Sequence, residues 1–215
     1  MQPHSRNDRV RFWTAQSAKA VAVALLTCTL VQVPAGFGAF AASYKEIRDQ
    51  RPELFHPKTG FRIDRQRAPV PDDVPPPVRI ADTQEVAALS SSGALLLDVY
   101  AALNSRFDEL DGRWLVSKSH RSIPGAVWLP ETGRGVLEAQ MSHYLETNLE
   151  ELTDGDRSKY IVVFCVSDCW MSWNASQRIA GLGYTKIYWY PLGVDGWEEA
   201  GHSLEPVEPV PLKIE

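Results

Sequence analysis

The sequence predicts an α/β fold with a mainly parallel central sheet flanked by helices. Apolar, β-rich runs bounded by turn residues recur along it: Ala94-Leu95-Leu96-Leu97-Asp98-Val99-Tyr100, Tyr160-Ile161-Val162-Val163-Phe164 and Lys186-Ile187-Tyr188-Trp189-Tyr190. Continuous apolar runs of this length suit strands covered on both faces. Segments with helical spacing lie between them, and parallel neighbours need such crossovers.

The elements follow in order. Residues 43–56 are charged, with Tyr44, Ile47, Leu54 and Phe55 as anchors, and suit a short helix ending before Pro57. Residues 68–78 (APVPDDVPPPV) carry five prolines and read as a stiff spacer, so the main domain is placed at 78–204 with a tail at 205–215. Val78-Arg79-Ile80 opens a strand. Asp82 or Thr83 caps a helix through Leu89, and Gly93 ends the unit. Residues 101–119 read as polar and irregular. Ile123-Pro124-Gly125-Ala126-Val127-Trp128-Leu129-Pro130 reads as a short strand. Helices follow at residues 141–152, with Tyr144, Leu145, Leu149 and Leu152 on one side, and at residues 172–182, ended by Gly183. Ser167 and Ser172 are candidate caps for the latter. Trp189 reads as core, and Trp197 anchors the terminal helix.

Residues 1–41 read as a secretory signal. Arg6, Arg9, Arg11 and Lys19 precede an apolar stretch over residues 20–33, too short to span a membrane comfortably, and Ala39-Phe40-Ala41 offers a cleavage site. The expected destination is the periplasm; an uncleaved anchor is the alternative. Residues 42–77 are then an N-terminal extension with its proline-rich linker. Of 22 basic and 27 acidic residues, four and one fall before the cut, leaving 18 and 26. An acidic mature chain argues against nucleic acid and anionic membrane as partners.

Export leaves Cys165 and Cys169 as the mature thiols, since Cys28 lies in the signal. They sit in Phe164-Cys165-Val166-Ser167-Asp168-Cys169-Trp170, after the central strand and before a helical pattern. The position aims a thiol at a helix N-terminus, where N–H groups favour a thiolate. In parallel sheets, sites form beyond the carboxyl ends of strands. A four-residue span removes little loop entropy, so a structural disulfide there would be a weak staple. Asp98 is expected to hold loop backbone near the site. Trp170 and Trp173 either shape an apolar pocket or pack the core. His120 reads as a surface turn residue, and Arg178 as part of a solvated helix face.

Leu96-Leu97-Asp98-Val99, Ile123-Pro124-Gly125-Ala126, Ile161-Val162-Val163-Phe164-Cys165, Gly183-Tyr184 and Leu192-Gly193 followed by Trp197 and Ala200-Gly201 together resemble a rhodanese-like domain. The Cys-xxx-Cys-Trp loop (CXXXCW), the signal and Tyr188-Trp189-Tyr190-Pro191 resemble, more narrowly, the exported CXXCW-motif proteins associated with catabolism dependent on pyrroloquinoline quinone (PQQ). That resemblance implies a periplasmic quinoprotein alcohol dehydrogenase or its cytochrome as partner. No nucleotide-, haem- or PQQ-binding motif is visible, and no cofactor is expected.

The loop departs from the family. A rhodanese loop places Arg five residues after its cysteine; here that position is Trp170, then Met171. Asp168 is expected to set a negative charge beside the thiol and repel thiosulfate or phosphate. Both points argue against thiosulfate:cyanide transfer. Three readings stay open. In the first, Cys165 is a nucleophile for thiol redox or persulfide transfer and Cys169 resolves it, with Val166, Ser167, Asp168, Trp170, Met171 and Ser172 forming the loop and substrate-binding surface. In the second, Cys165, Cys169 and Met171 form a soft set for Cu(I). In the third, the chain is a binding or assembly module without turnover.

Overall fold

The computed structural model describes residues 42–102, 106–108 and 110–213. The signal segment and part of the region between residues 103 and 109 lie outside the described residues. Helix α1 is Tyr44–Gln50, β1 Arg79–Ile80, α2 Thr83–Ser91, β2 Leu95–Asp98, β3 Arg106–Phe107 and β4 Trp114–Leu115. Then come β5 His120–Ser122, β6 Val127–Trp128, α3 Ala139–Thr153, β7 Tyr160–Phe164, α4 Trp170–Gly181, β8 Lys186–Tyr190, α5 Gly193–Glu199 and β9 Glu205–Val207.

Five strands form one sheet in the order β1-β8-β7-β2-β6, every neighbouring pair parallel. The predicted α/β class is the observed one. Strand β7 is central, with Val163 beside Leu97 of β2 and Trp189 of β8. Its Ile161, Val162, Val163 and Phe164 are fully buried, which is why the run reads as continuous rather than alternating. Helix α2 starts at an Asp82 cap whose carboxylate accepts the Glu85 N–H at 2.8 Å.

Several boundaries move for local reasons. Ile123-Pro124-Gly125 is a turn, closed by Ala126 N–H to the Ile123 carbonyl, and only Val127–Trp128 joins the sheet. His120–Ser122 instead pairs antiparallel with β9, and the stretch expected to be irregular contains the β3–β4 hairpin. Helix α1 stops at Arg51 because Pro52 follows, and a short 3-10 turn, Pro52–Leu54, replaces its last part. Helix α4 begins at Trp170 with Cys169 as its cap. Neither serine caps it: Ser167 donates to the Leu192 carbonyl and Ser172 to the Cys169 carbonyl.

The extension packs against α4. Tyr44 stacks on Trp173 with ring centroids 4.6 Å apart, and Phe55 meets Trp170 edge-on at 5.4 Å. The Trp170 and Trp173 indole N–H groups donate to the Pro69 and Asp73 carbonyls. Asn174 is fully buried; it accepts the Arg62 N–H and donates to the Arg62 and Gly133 carbonyls, each at 3.0 Å. Both tryptophans are therefore packing residues between α4 and the extension. Arg178 is not on a solvated face. It is largely buried, lies over the Phe61 ring and donates to the Thr132 and Arg134 carbonyls. Burial pushes its pKa down to about 10, which leaves it cationic at neutral pH. Among the described residues no helix is long and apolar enough to cross a membrane.

Trp173→Ala removes a buried ring and the indole bond to Asp73, so a cost of about 3–5 kcal/mol is expected in urea unfolding. Proteolysis within residues 57–77 should accelerate with it. A cost below about 1 kcal/mol with unchanged proteolysis would show that the extension is not clamped there.

Candidate functional site

The carboxyl end of β7 delivers Cys165 into a loop flanked by the ends of β2 and β8. The loop is held on one side by the turn into α5: Val166 pairs with Gly193, and Val194 N–H donates to the Cys165 carbonyl at 2.9 Å. Gly193 has φ of 55°, and a Cβ there would stand 2.2 Å from the Cys165 carbonyl oxygen. Only glycine fits that approach. On the other side the extension pairs with the loop. Arg67 lies antiparallel to Cys169, Ala68 N–H donates to the Asp168 carbonyl at 2.9 Å, and Trp170 N–H donates to the Gln66 carbonyl at 2.8 Å. Asp168 between them is left-handed, with φ of 54°.

Both cysteines are free thiols in different surroundings. Cys165 is fully buried. Its sulfur lies 3.2 Å from Ser172 Oγ, 3.4 Å from the Cys169 carbonyl oxygen and 3.6 Å from that of Val166. Burial, and then the Cys169 sulfur beside it, push its pKa well up; Ser172 opposes this only in part. Ser172 is itself fixed by the Trp189 indole N–H at 3.0 Å. Cys169 is 4% exposed and its pKa is lowered. The Cys165 thiol beside it is the first cause; burial opposes it, and the Met171 and Val166 N–H groups and then Arg67 add to the lowering. In the neutral form Cys169 makes no side-chain cap bond, yet those N–H groups face its sulfur and favour the charged form.

Burial outweighs the Ser172 hydroxyl and N–H at Cys165, while the Met171 and Val166 N–H groups add to the lowering at Cys169. Asp168 stands on the extension side of the loop. It lines a cavity of about 530 Å³ on the extension side with Arg51, Arg62 and Arg65, and Arg67 is the charged side chain that acts on Cys169. Met171, Trp170 and Ser172 are buried under the loop, and Ser167 holds its outer rim.

Asp98 is buried at the end of β2. Its Oδ1 accepts the Tyr100 N–H at 2.9 Å, and its Oδ2 accepts the Ser122 hydroxyl at 2.6 Å and lies 2.7 Å from His120 Nε2. These bonds join the end of β2 to the following turn and to β5. His120 is not a free turn residue: it is half-buried between the Tyr100 and Trp128 rings. Arg67, Tyr100 and Asp195 were not singled out from sequence. Asp195 accepts the Ser167 N–H at 2.9 Å and lies 3.5 Å from Arg67. Tyr100 is pushed up by burial, with Arg67, Cys169, Cys165 and Asp195 as lesser electrostatic influences.

Among the described residues no group of three or more His, Cys, Asp or Glu is arranged to hold a metal, so the Cu(I) set would be Cys165, Cys169 and Met171 alone.

Residues 82–200, more than half of the chain, match the rhodanese-like domain. The chain belongs to the rhodanese-like domain family. Among solved structures it is similar to the thiosulfate sulfurtransferase of Pseudomonas aeruginosa, at 23% identity over 61% of this chain and 21% of that one, with a TM-score of 0.42. It is also similar to the BH2092 protein of Bacillus halodurans, at 19% identity over 59% and 75%, with a TM-score of 0.37. The chain spans about a fifth of the Pseudomonas protein and three quarters of the Bacillus one. No curated protein matches the sequence. The rhodanese-like match falls inside the expected 78–204 domain and leaves the extension outside it.

Two expectations follow from the rhodanese-like site. Alkylation of Cys169 should titrate below the ~8.5 of an ordinary thiol, because a lowered pKa keeps the reactive thiolate populated to lower pH. Cys165→Ala should move that midpoint upward, read by mass spectrometry of iodoacetamide-treated protein; a midpoint unmoved by the substitution would remove Cys165 as the cause. Asp98→Ala should cost about 3 kcal/mol in chemical denaturation, since Ser122, His120 and the Tyr100 N–H all lose their acceptor. A loss within 0.5 kcal/mol, the range of an ordinary surface change, would contradict the anchoring role.

Proposed function

We propose that this rhodanese-like protein uses its Cys165–Cys169 pair for thiol redox or persulfide transfer, with Cys169 as the attacking thiolate and Cys165 as the resolving thiol. The single observation that carries this reading is the difference between the two buried sulfurs: burial disfavours a Cys165 thiolate, whereas Cys169 caps α4 and is favoured as thiolate by Cys165 and by the Met171 and Val166 N–H groups. A nucleophile needs the second environment, and a resolving thiol tolerates the first.

The steps balance. The Cys169 thiolate attacks the outer sulfur of an organic persulfide, forming a Cys169 persulfide and releasing the donor thiolate. The Cys165 thiol then attacks Cys169 Sγ, forming the Cys165–Cys169 disulfide. The outer sulfur leaves as sulfide and takes the Cys165 proton. The thiols are oxidised, the outer sulfur is reduced, and an external dithiol returns the pair to the reduced state. A substrate disulfide follows the same course with a thiolate as each leaving group. The Cys-xxx-Cys-Trp resemblance extends the proposal to an exported, periplasmic protein supporting PQQ-dependent alcohol oxidation beside a quinoprotein dehydrogenase or its cytochrome.

The test is exposure of reduced protein to an organic persulfide, followed by trapping and mass spectrometry. One added sulfur should persist on Cys169 in Cys165→Ala, whereas the unsubstituted protein should proceed to the disulfide. Absence of both adduct and disulfide ends the thiol reading. The supporting role is read from PQQ-dependent alcohol dehydrogenase activity in periplasmic extracts with and without the chain; equal activity would count against it.

A further inference from the structure

We infer that Arg67, a residue of the N-terminal extension outside the rhodanese-like segment, is the positioning cation of the Cys165–Cys169 site and selects sulfur donors carrying a negative charge. The inference rests on the thiol reading above and names the residue that orients the incoming donor.

The loop supplies no cation of its own: the position where the family carries Arg is Trp170, and Trp170 is buried against Phe55. The charge comes instead from the segment paired to the loop. Arg67 is held in register with Cys169 by the flanking bonds from Ala68 N–H and to the Gln66 carbonyl, so its backbone cannot drift from the thiol. Its side chain is more than half exposed, at 62%, and its guanidinium lies 3.5 Å from Asp195 Oδ2. That contact is loose. A well-formed Arg–carboxylate bond is about 2.7–2.9 Å, and Asp195 gives its shorter bond, 2.9 Å, to the Ser167 N–H. Asp195 therefore fixes the loop rim and holds Arg67 beside it, with N–H groups left for a ligand. The other basic side chains near the loop, Arg51, Arg62 and Arg65, line the cavity on the extension side. Arg178 is committed to carbonyls beneath α4.

A donor whose anionic group meets Arg67 would present its sulfur to Cys169, and a neutral donor would gain nothing from the residue. The test compares the rates at which iodoacetate, an anion, and iodoacetamide, its neutral analogue, modify Cys169. Both react with the same thiolate, so their ratio cancels any change in pKa or general accessibility. In Arg67→Gln the iodoacetate-to-iodoacetamide ratio should fall about fivefold, the effect of one unit charge at contact in water. Arg67→Lys should keep most of the ratio, and Asp195→Asn, which frees the guanidinium, should raise it. High salt should erase the difference between the unsubstituted protein and Arg67→Gln. A ratio unchanged in Arg67→Gln overturns the role of Arg67 while leaving the thiol reading intact. If neither reagent modifies Cys169 in the unsubstituted protein, the thiol reading fails and the role of Arg67 falls with it.

Discussion

Two backbone hydrogen bonds, Ala68 N–H to the Asp168 carbonyl and Trp170 N–H to the Gln66 carbonyl, tie the extension to the cysteine loop, and the character of the site depends on them. They lie on either side of the Arg67–Cys169 pairing and hold Asp168 in a left-handed turn. A non-glycine residue stays in that conformation only where its surroundings insist on it. The turn brings the chain to α4 so that Cys169 caps the helix. The extension satisfies the Trp170 N–H of the helix, and the Met171 N–H of its first turn favours a charged Cys169.

The same arrangement separates the chemistry of two identical side chains. A thiolate at a cap position plays the part that Ser, Thr or Asp plays in other helices, and gains from the same donors and dipole. Cys165, one turn of chain away, sits under the sheet edge with carbonyls and the Ser172 hydroxyl for company. Paired thiols must differ if one is to attack and the other to wait. Here the difference comes first from burial at Cys165 and from the neighbouring thiol at Cys169, with loop N–H groups adding to it, in a chain whose overall charge is negative and whose loop carries no basic residue.

The extension is structural as well as electrostatic. Trp170 and Trp173 present their rings to Phe55 and Tyr44 and their indole N–H groups to the carbonyls of the proline-rich stretch. A polyproline-like stretch makes no internal hydrogen bonds, so its carbonyls stay available as acceptors. A stretch that reads as a spacer from composition serves as a strap, because two indoles offer it both apolar surface and donors.

By itself the sequence determined the fold class, the strands β2, β7 and β8, the Asp82 cap and the placement of the cysteine loop at the sheet edge. Each of these follows from local pattern: continuous apolar runs, a capping residue before a helical period, a polar loop between strand and helix. Tertiary structure alone decided how the surroundings of the two thiols differ, that Arg178 is largely buried, that His120 bonds Asp98, and that Arg67 pairs with Cys169. Those outcomes depend on which way N–H and carbonyl groups point after Phe164, and on contacts between segments about a hundred residues apart. No residue type records a peptide's direction, and no local spacing links Arg67 to Cys169; only the packing of the extension on α4 brings them together.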